Sequence, residues 1–271
     1  MLLLLLERKS QKMSKNYWGE RMAKSQAKLT ELGVKRTEAQ LKKYYSKTLE
    51  KTLGQFQLTY NKVFSLKAEG KEPTPADLYK LDSYWKMMGE LRTELTKLGE
   101  KQIALLNKEF IQQYINIYDG IALPSQGAYT RIDTKTAQQM INSIWCADGQ
   151  SWSQRVWKNT EKLQETLNEE LIDCVVMGRN PRELRTKIRE RFGVSYTAAD
   201  SVVRTEMAHI QTQAAKQRYQ DSGIGMVEIW ADEDERRCEV CGKLHQKKYL
   251  INESVPIPAH PRCRCCIVPV I

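Results

Sequence analysis

On either side of the turn-forming stretch EGKEPTPADL, apolar side chains return every third or fourth residue, and nothing else in this 271-residue chain restricts its fold as tightly. Leu41, Tyr45, Leu49, Leu53, Phe56, Tyr60 and Val63 make the first run. Leu78, Leu81, Trp85, Met88, Leu91, Leu95, Leu98, Leu106, Phe110 and Ile117 make the second. That spacing lines one face of an α-helix, while Lys42, Lys43, Lys47 and Lys51 fall mostly elsewhere. Stripes of this kind are a core or coiled-coil seam rather than a cofactor site.

Local signals set the expected ends. One helix is expected from Asn16 to Leu32 and a second from Thr37 to Ala68. Thr74 is a good N-cap, Pro75 suits the first helical position and Asp77 complements the positive end of the helix dipole. The helix so started reaches Tyr118, about 65 Å if unbroken, with Gly89 and Gly99 as places for a bend. Two long antiparallel helices joined by a short turn form an elongated hairpin, shaped for reaching rather than for enclosing a pocket. The turn formers of Asp119–Tyr129 mark a boundary. Further helices are expected from Thr134 to Cys146, from Ser151 or Ser153 past Val175 to a stop at Gly178, from the Asn180 cap to Gly193, and from Thr197 to Gln220. After Gly225 the texture changes to short β-prone runs, MVEIWAD, KKYLI and RCCIVPVI. The expected fold is mainly α with a small α+β C-terminal module: an elongated basic helical region over 1–120, a helical domain over 121–223, and a β-rich module over 224–271.

Charge is unevenly placed. Residues 1–120 carry 22 Lys and Arg against 14 Asp and Glu, most of the net charge of +10. The long helices are thus the part suited to phosphate or an acidic partner, though a solvated Lys/Glu face gives the same composition. No segment approaches the roughly 18 apolar residues of a membrane span. The leucine run Leu2–Leu6 is too short for a secretion signal and lacks a preceding basic stretch. Translation from Met13 and a short anchor for a partner are the two readings of it.

Five of the seven cysteines and two of the three histidines lie between Arg236 and Cys266. Cys238-x-x-Cys241 is the spacing with which a tight turn aims two thiolates at one point, and His260-x-x-Cys263 is a second knuckle of equal size. Cys238, Cys241, His260 and Cys263 can close a tetrahedron around Zn²⁺, and Cys265 can replace His260 or Cys263. A Cys238–Cys241 redox pair wants a βαβ context that is not visible. A disulfide framework fits poorly with an odd cysteine count and no export signal. Cys146, Cys174 and Cys266 read as small buried hydrophobes. A catalytic zinc keeps a position open and a base beside it. Here ligands are oversupplied and nothing organises His245 or Glu239, so the expected metal is structural, holding a module too small to fold on its own burial.

The segment from SWSQRVW through VVMGRNPRELRTKIRERFG, ADSVVRTEMAHIQTQAA, EIWADEDERRCEVC and PAHPRCRC resembles the phage head-morphogenesis family, the minor head proteins typified by the F protein of phage Mu. The resemblance covers roughly Gln150 to Ile271. It implies a non-enzymatic minor capsid protein of a tailed phage, associated with portal and inner capsid, located in the capsid interior near the portal and in host cytoplasm during assembly. No catalytic or cofactor-binding residues are expected. Arg204 and Glu206, two apart on a helix, face different ways and meet different partners, with the Asp232–Arg237 loop expected to pair with Arg204. The basic hairpin is further expected to contact packaged double-stranded DNA without reading sequence. The alternative is a zinc-ribbon nucleic-acid binder or nuclease, which needs a second cluster of carboxylates or histidines for a labile metal. A toxin or other effector expects an added enzymatic domain, for which a chain stopping at Ile271 leaves no room.

Overall fold

The computed structural model describes residues 2–68, 74–123, 131–177, 179–232 and 234–270. The side chains of Leu2–Leu6, Met13 and Val63, the expected stop at Gly178, and most of Asp119–Tyr129 lie outside the described set. The described elements are α1 (Leu2–Ala68), α2 (Pro75–Tyr79), α3 (Asp82–Gly120), α4 (Thr134–Ile141), α5 (Trp152–Val176), α6 (Pro181–Asp221), β1 (Met226–Trp230), α7 (Glu239–Leu244), β2 (Lys248–Leu250) and β3 (Cys266–Pro269). The fold is mainly helical with a small antiparallel sheet, as the periodicity and the β-prone tail require. Among the described residues no helix is long and apolar enough to cross a membrane.

The chain forms two compact units, one of residues 1–37, 107–145 and 203–271, the other of 38–106 and 146–202. The helices α1, α3 and α6 supply residues to both.

In the second unit four long helices, with Leu78 of the short α2, bury a continuous apolar core. Leu53 and Phe56 come from α1, Leu91 and Leu95 from α3, Leu163, Leu167 and Leu171 from α5, and Leu184, Ile188 and Phe192 from α6. Each such side chain contributes about 1.5–3 kcal/mol of burial. The contacts of α1 with α3 run in opposite directions along the chain, Tyr45 to Gln102 at 3.4 Å, Lys51 to Glu94 at 2.7 Å and Gln55 to Glu90 at 3.1 Å, so the two are antiparallel. Gly99 is there because the ring of Trp157 lies where its Cβ would be. Inside this core the Tyr45 hydroxyl meets Ser195 Oγ at 3.2 Å and receives a hydrogen bond from Asn159 Nδ2 at 3.2 Å.

The first unit is held by polar side chains as much as by apolar ones. Gln113 Nε2 on α3 donates to Thr30 Oγ1 on α1 at 3.0 Å, and Thr30 Oγ1 donates to Gln211 Oε1 on α6 at 2.6 Å. The sheet order is β2-β1-β3, with Val227 opposite Tyr249 and Trp230 opposite Cys266. Gln26, buried on α1, donates from Nε2 to the Tyr219 hydroxyl at 3.2 Å and to the Ile267 carbonyl of β3 at 3.0 Å. Trp230 lies against Gly19, where a Cβ would come within 2.7 Å of the indole. The sheet is thus seated on α1 and α6.

Several expected ends move. The two helices expected before Ala68 are one, because burial of Val34 and Thr37 continues the inward face through the expected gap. The helix expected from Thr74 to Tyr118 breaks at Lys80–Leu81, not at Gly89 or Gly99. That break resets the phase: Tyr84 and Met87 turn inward, while Trp85 is 59% exposed and donates from Nε1 to the Tyr79 carbonyl. The helix expected to end at Gly193 runs on to Asp221, since Phe192 and Ala199 are buried on either side and outweigh the roughly 1 kcal/mol cost of one glycine. Helix α4 ends at Ile141, which leaves Cys146 in a bend and half-buried rather than in a helical apolar face. Cys174 and Cys266 are buried as expected.

Candidate metal centre

The C-x-x-C pair sits where a helix begins. Cys238 is the N-cap of α7, and its sulfur accepts the backbone N–H of Cys241 at 3.4 Å. A first helical turn therefore fixes the separation of the two thiols. The opposing knuckle closes through Cys263 N–H donating to the His260 carbonyl at 3.2 Å, with Arg262 at φ 62°. Its outer edge is tied to α6, where the Arg262 N–H donates to Thr205 Oγ1 at 3.1 Å. β3 follows at once and carries Cys266 into the sheet core.

These two loops bring five donor side chains together. His260 Nε2 lies 3.3 Å from Cys238 Sγ and 3.1 Å from Cys241 Sγ, and Cys241 Sγ lies 3.8 Å from Cys263 Sγ. Two trios result, Cys238–Cys241–His260 and Cys241–Cys263–Cys265, each with donor atoms within 4.8 Å of one another and Cys241 in both. Cys241, Cys263 and Cys265 are buried.

The donor set suits a closed, thiolate-rich ion site. A tetrahedron with Zn–S bonds of about 2.3 Å has S–S edges of about 3.8 Å, the spacing of Cys241 and Cys263. The sulfur–nitrogen edges are a few tenths of an ångström tighter than the roughly 3.6 Å of such a tetrahedron. His260 Nδ1 lies 2.8 Å from the Pro261 carbonyl. A proton on Nδ1 satisfies that contact and leaves the Nε2 lone pair facing the sulfurs, the arrangement of ligating histidines generally. Hydrogen bonding divides the charge unequally among the thiols. The Cys265 thiol beside it holds Cys263 below the ordinary thiol range, the same contact drives Cys265 up, and burial raises Cys241. The Cys241 backbone N–H lowers Cys238.

Around the cluster, Arg264 reaches back from between Cys263 and Cys265 to the loop before α7. Its Nη1 is 2.9 Å from Asp232, and both Nη atoms fork onto Asp234 at 2.7 and 2.6 Å. This guanidinium holds Asp234 well below the usual carboxylate range, whereas burial raises Asp232. Sequence reasoning missed this clamp, although a lone arginine in CRC facing an acidic run was the signal for it. Arg204, expected to meet that loop, lies 3.8 Å from Glu31 on α1, while Glu233 falls outside the described residues. Glu206 accepts from Trp145 Nε1 at 3.0 Å, so the two charges of the Arg-Thr-Glu turn do take different partners. His245 and Glu239 stand apart from the cluster: His245 Nδ1 accepts the Ala231 N–H at 3.2 Å, and Glu239 pairs with Lys243.

Residues 165–268 match the family described as Phage Mu protein F like protein, which supports a phage head-morphogenesis family. The matched span contains α6 from its first residue and both cysteine loops. No curated protein and no solved structure matches the chain.

Proposed function

We propose that this chain is a minor capsid protein of a tailed bacteriophage, acting in head assembly as a non-enzymatic component of the capsid interior near the portal. The observation that carries the reading is that the family match encloses both cysteine loops together with the Arg-Thr-Glu turn that one of them is tied to. Cys238, Cys241, His260 and Cys263, with Cys265 as the alternative donor, would hold a structural Zn²⁺. Bound there, the ion supplies cross-linking of two loops that have little apolar surface of their own. A thiolate-rich, fully occupied shell leaves no open position for substrate.

In this reading the basic helical surfaces of the chain engage portal, inner capsid surface and packaged double-stranded DNA. Support for the last comes from the excess of Lys and Arg over residues 1–120. Assembly would take place in the host cytoplasm, with the protein a component of the virion.

The test is location. Heads assembled with and without portal are purified and the protein in each is quantified. The expected result is a few copies per portal-containing head and depletion when portal is absent. Absence from both kinds of head would overturn the reading. A Mg²⁺- or Mn²⁺-dependent cleavage of DNA by the pure protein would favour a nuclease instead.

A further inference from the structure

The first half of α6 carries a set of cations that the fold does not use. Between Arg179 and Arg191 lie six Lys or Arg and two Asp or Glu. Four of these charges are accounted for. Arg191 forks onto Glu170 of α5, Lys187 lies 3.3 Å from Glu190, and Glu183 accepts from the Asn180 cap. Arg182, Arg185 and Arg189 are different. Among the described residues none of the three has an ion-pair partner; Arg182 and Arg189 are exposed and Arg185 is half-buried.

Helix geometry puts these three on one face. At 100° per residue they fall within an arc of about 60°, and at 1.5 Å per residue they extend over about 10 Å. Glu183 and Glu190 sit about 80–100° beyond Arg182 on one flank of that arc. Leu184, Ile188 and Phe192 lie on the other flank, turned inward, and fix the helix in the second unit's core. Helix stability does not explain Arg182, which lies in the first turn of α6, where the dipole disfavours a cation. Three unpaired guanidiniums in a row on a rigid helix make a surface matched to successive phosphates, which they contact through forked donors. On α1, Lys42, Lys43 and Lys47 are exposed too but present point charges without forked donors, and other cations are already engaged. Lys24, Lys35 and Lys51 are each beside a glutamate, at 3.5, 3.6 and 2.7 Å.

We propose that Arg182, Arg185 and Arg189 form the face by which this protein holds the sugar–phosphate backbone of double-stranded DNA. The proposal rests on the reading that the protein meets packaged DNA, and it places that contact on α6 rather than on the lysines of α1. No base edge is read, so binding is sequence-independent.

The test uses the full-length protein and an unrelated 30-bp duplex, with affinity measured by fluorescence anisotropy between about 50 and 200 mM salt. Neutralising three phosphates accounts for about 2.7 in the slope of log K against log salt. The triple variant Arg182→Gln, Arg185→Gln, Arg189→Gln should lower the slope by about that amount and weaken binding at least tenfold, with the helical circular-dichroism signal unchanged. The triple lysine variant should keep the slope. A control variant, Lys42→Gln, Lys43→Gln, Lys47→Gln, should change it little. If the control loses the slope and the arginine variant does not, the α6 assignment is overturned while DNA contact stands. If the unmodified protein ignores DNA at low salt, or binds polyglutamate in its place, both the DNA reading and this assignment fail.

Discussion

The indole of Trp145 lies flat on the imidazole of His209, with ring centroids 4.2 Å apart and planes 4° from parallel. Both belong to the unit that carries the sheet. Trp145 Nε1 donates to Glu206 at 3.0 Å, and burial lowers the His209 pKa to about 4.

That shift fixes a pH dependence. As pH falls below about 6.5 the unfolded chain takes a proton at this histidine that the folded chain refuses, so stability declines. The decline continues to the folded pKa of about 4 and then levels. Its full size is about 3 kcal/mol. Urea unfolding of the parent and of His209→Gln at a series of pH values between 4 and 7 should show the variant losing less stability on acidification. Parallel pH profiles would contradict the assignment.

Gly89 and Gly99 of α3 should respond to alanine with opposite sign. Nothing lies within 4 Å of a Cβ at Gly89, so Gly89→Ala should stabilise by about 1 kcal/mol through helix propensity. At Gly99 the Trp157 ring occupies that space, and Gly99→Ala should destabilise by about 1–3 kcal/mol. Thermal unfolding of the two variants checks this, and Trp157→Leu should relieve the second.

Tyr45→Phe removes the hydroxyl that joins α1 to Asn159 and Ser195 inside the second unit. Leaving those groups short of a partner should cost about 1–3 kcal/mol, measured as a shift in the denaturant midpoint with unchanged slope. A neutral result would mean that the network is satisfied without it.

Arg264→Gln frees Asp232 and Asp234 from the loop that carries Cys263 and Cys265. The expected outcome is faster loss of bound metal to a chelator, since the clamp orients the backbone that carries Cys263 and Cys265. Unchanged release kinetics would show that the clamp serves only the surface.

What could be read in advance divides along physical lines. The inward faces of α1 and α3 were legible because most of their apolar residues obey one local period, and Leu41, Leu53, Leu91 and Leu95 are buried as that period demands. Trp85 was not, because a two-residue break at Lys80–Leu81 shifts the phase and leaves no mark stronger than ordinary side chains. Gly193 misled for a related reason: a local preference of about 1 kcal/mol yields to the burial of Phe192 and its neighbours. That donor side chains gather in the C-terminal loops shows in the sequence because short loops fix knuckle spacing, and the structure groups them as Cys238–Cys241–His260 and Cys241–Cys263–Cys265. The supports around them do not show there. The contacts of Arg264 with Asp234, Thr205 with Arg262 and Gln26 with Ile267 link residues 30, 57 and 241 positions apart, which no local pattern encodes.

Metal analysis of the purified protein decides whether an ion joins the C-terminal loops. The predicted result is about one zinc per chain, lost in Cys241→Ser along with the protection of β1 and β3 against hydrogen exchange. Metal-free protein in which that sheet is fully protected would contradict it.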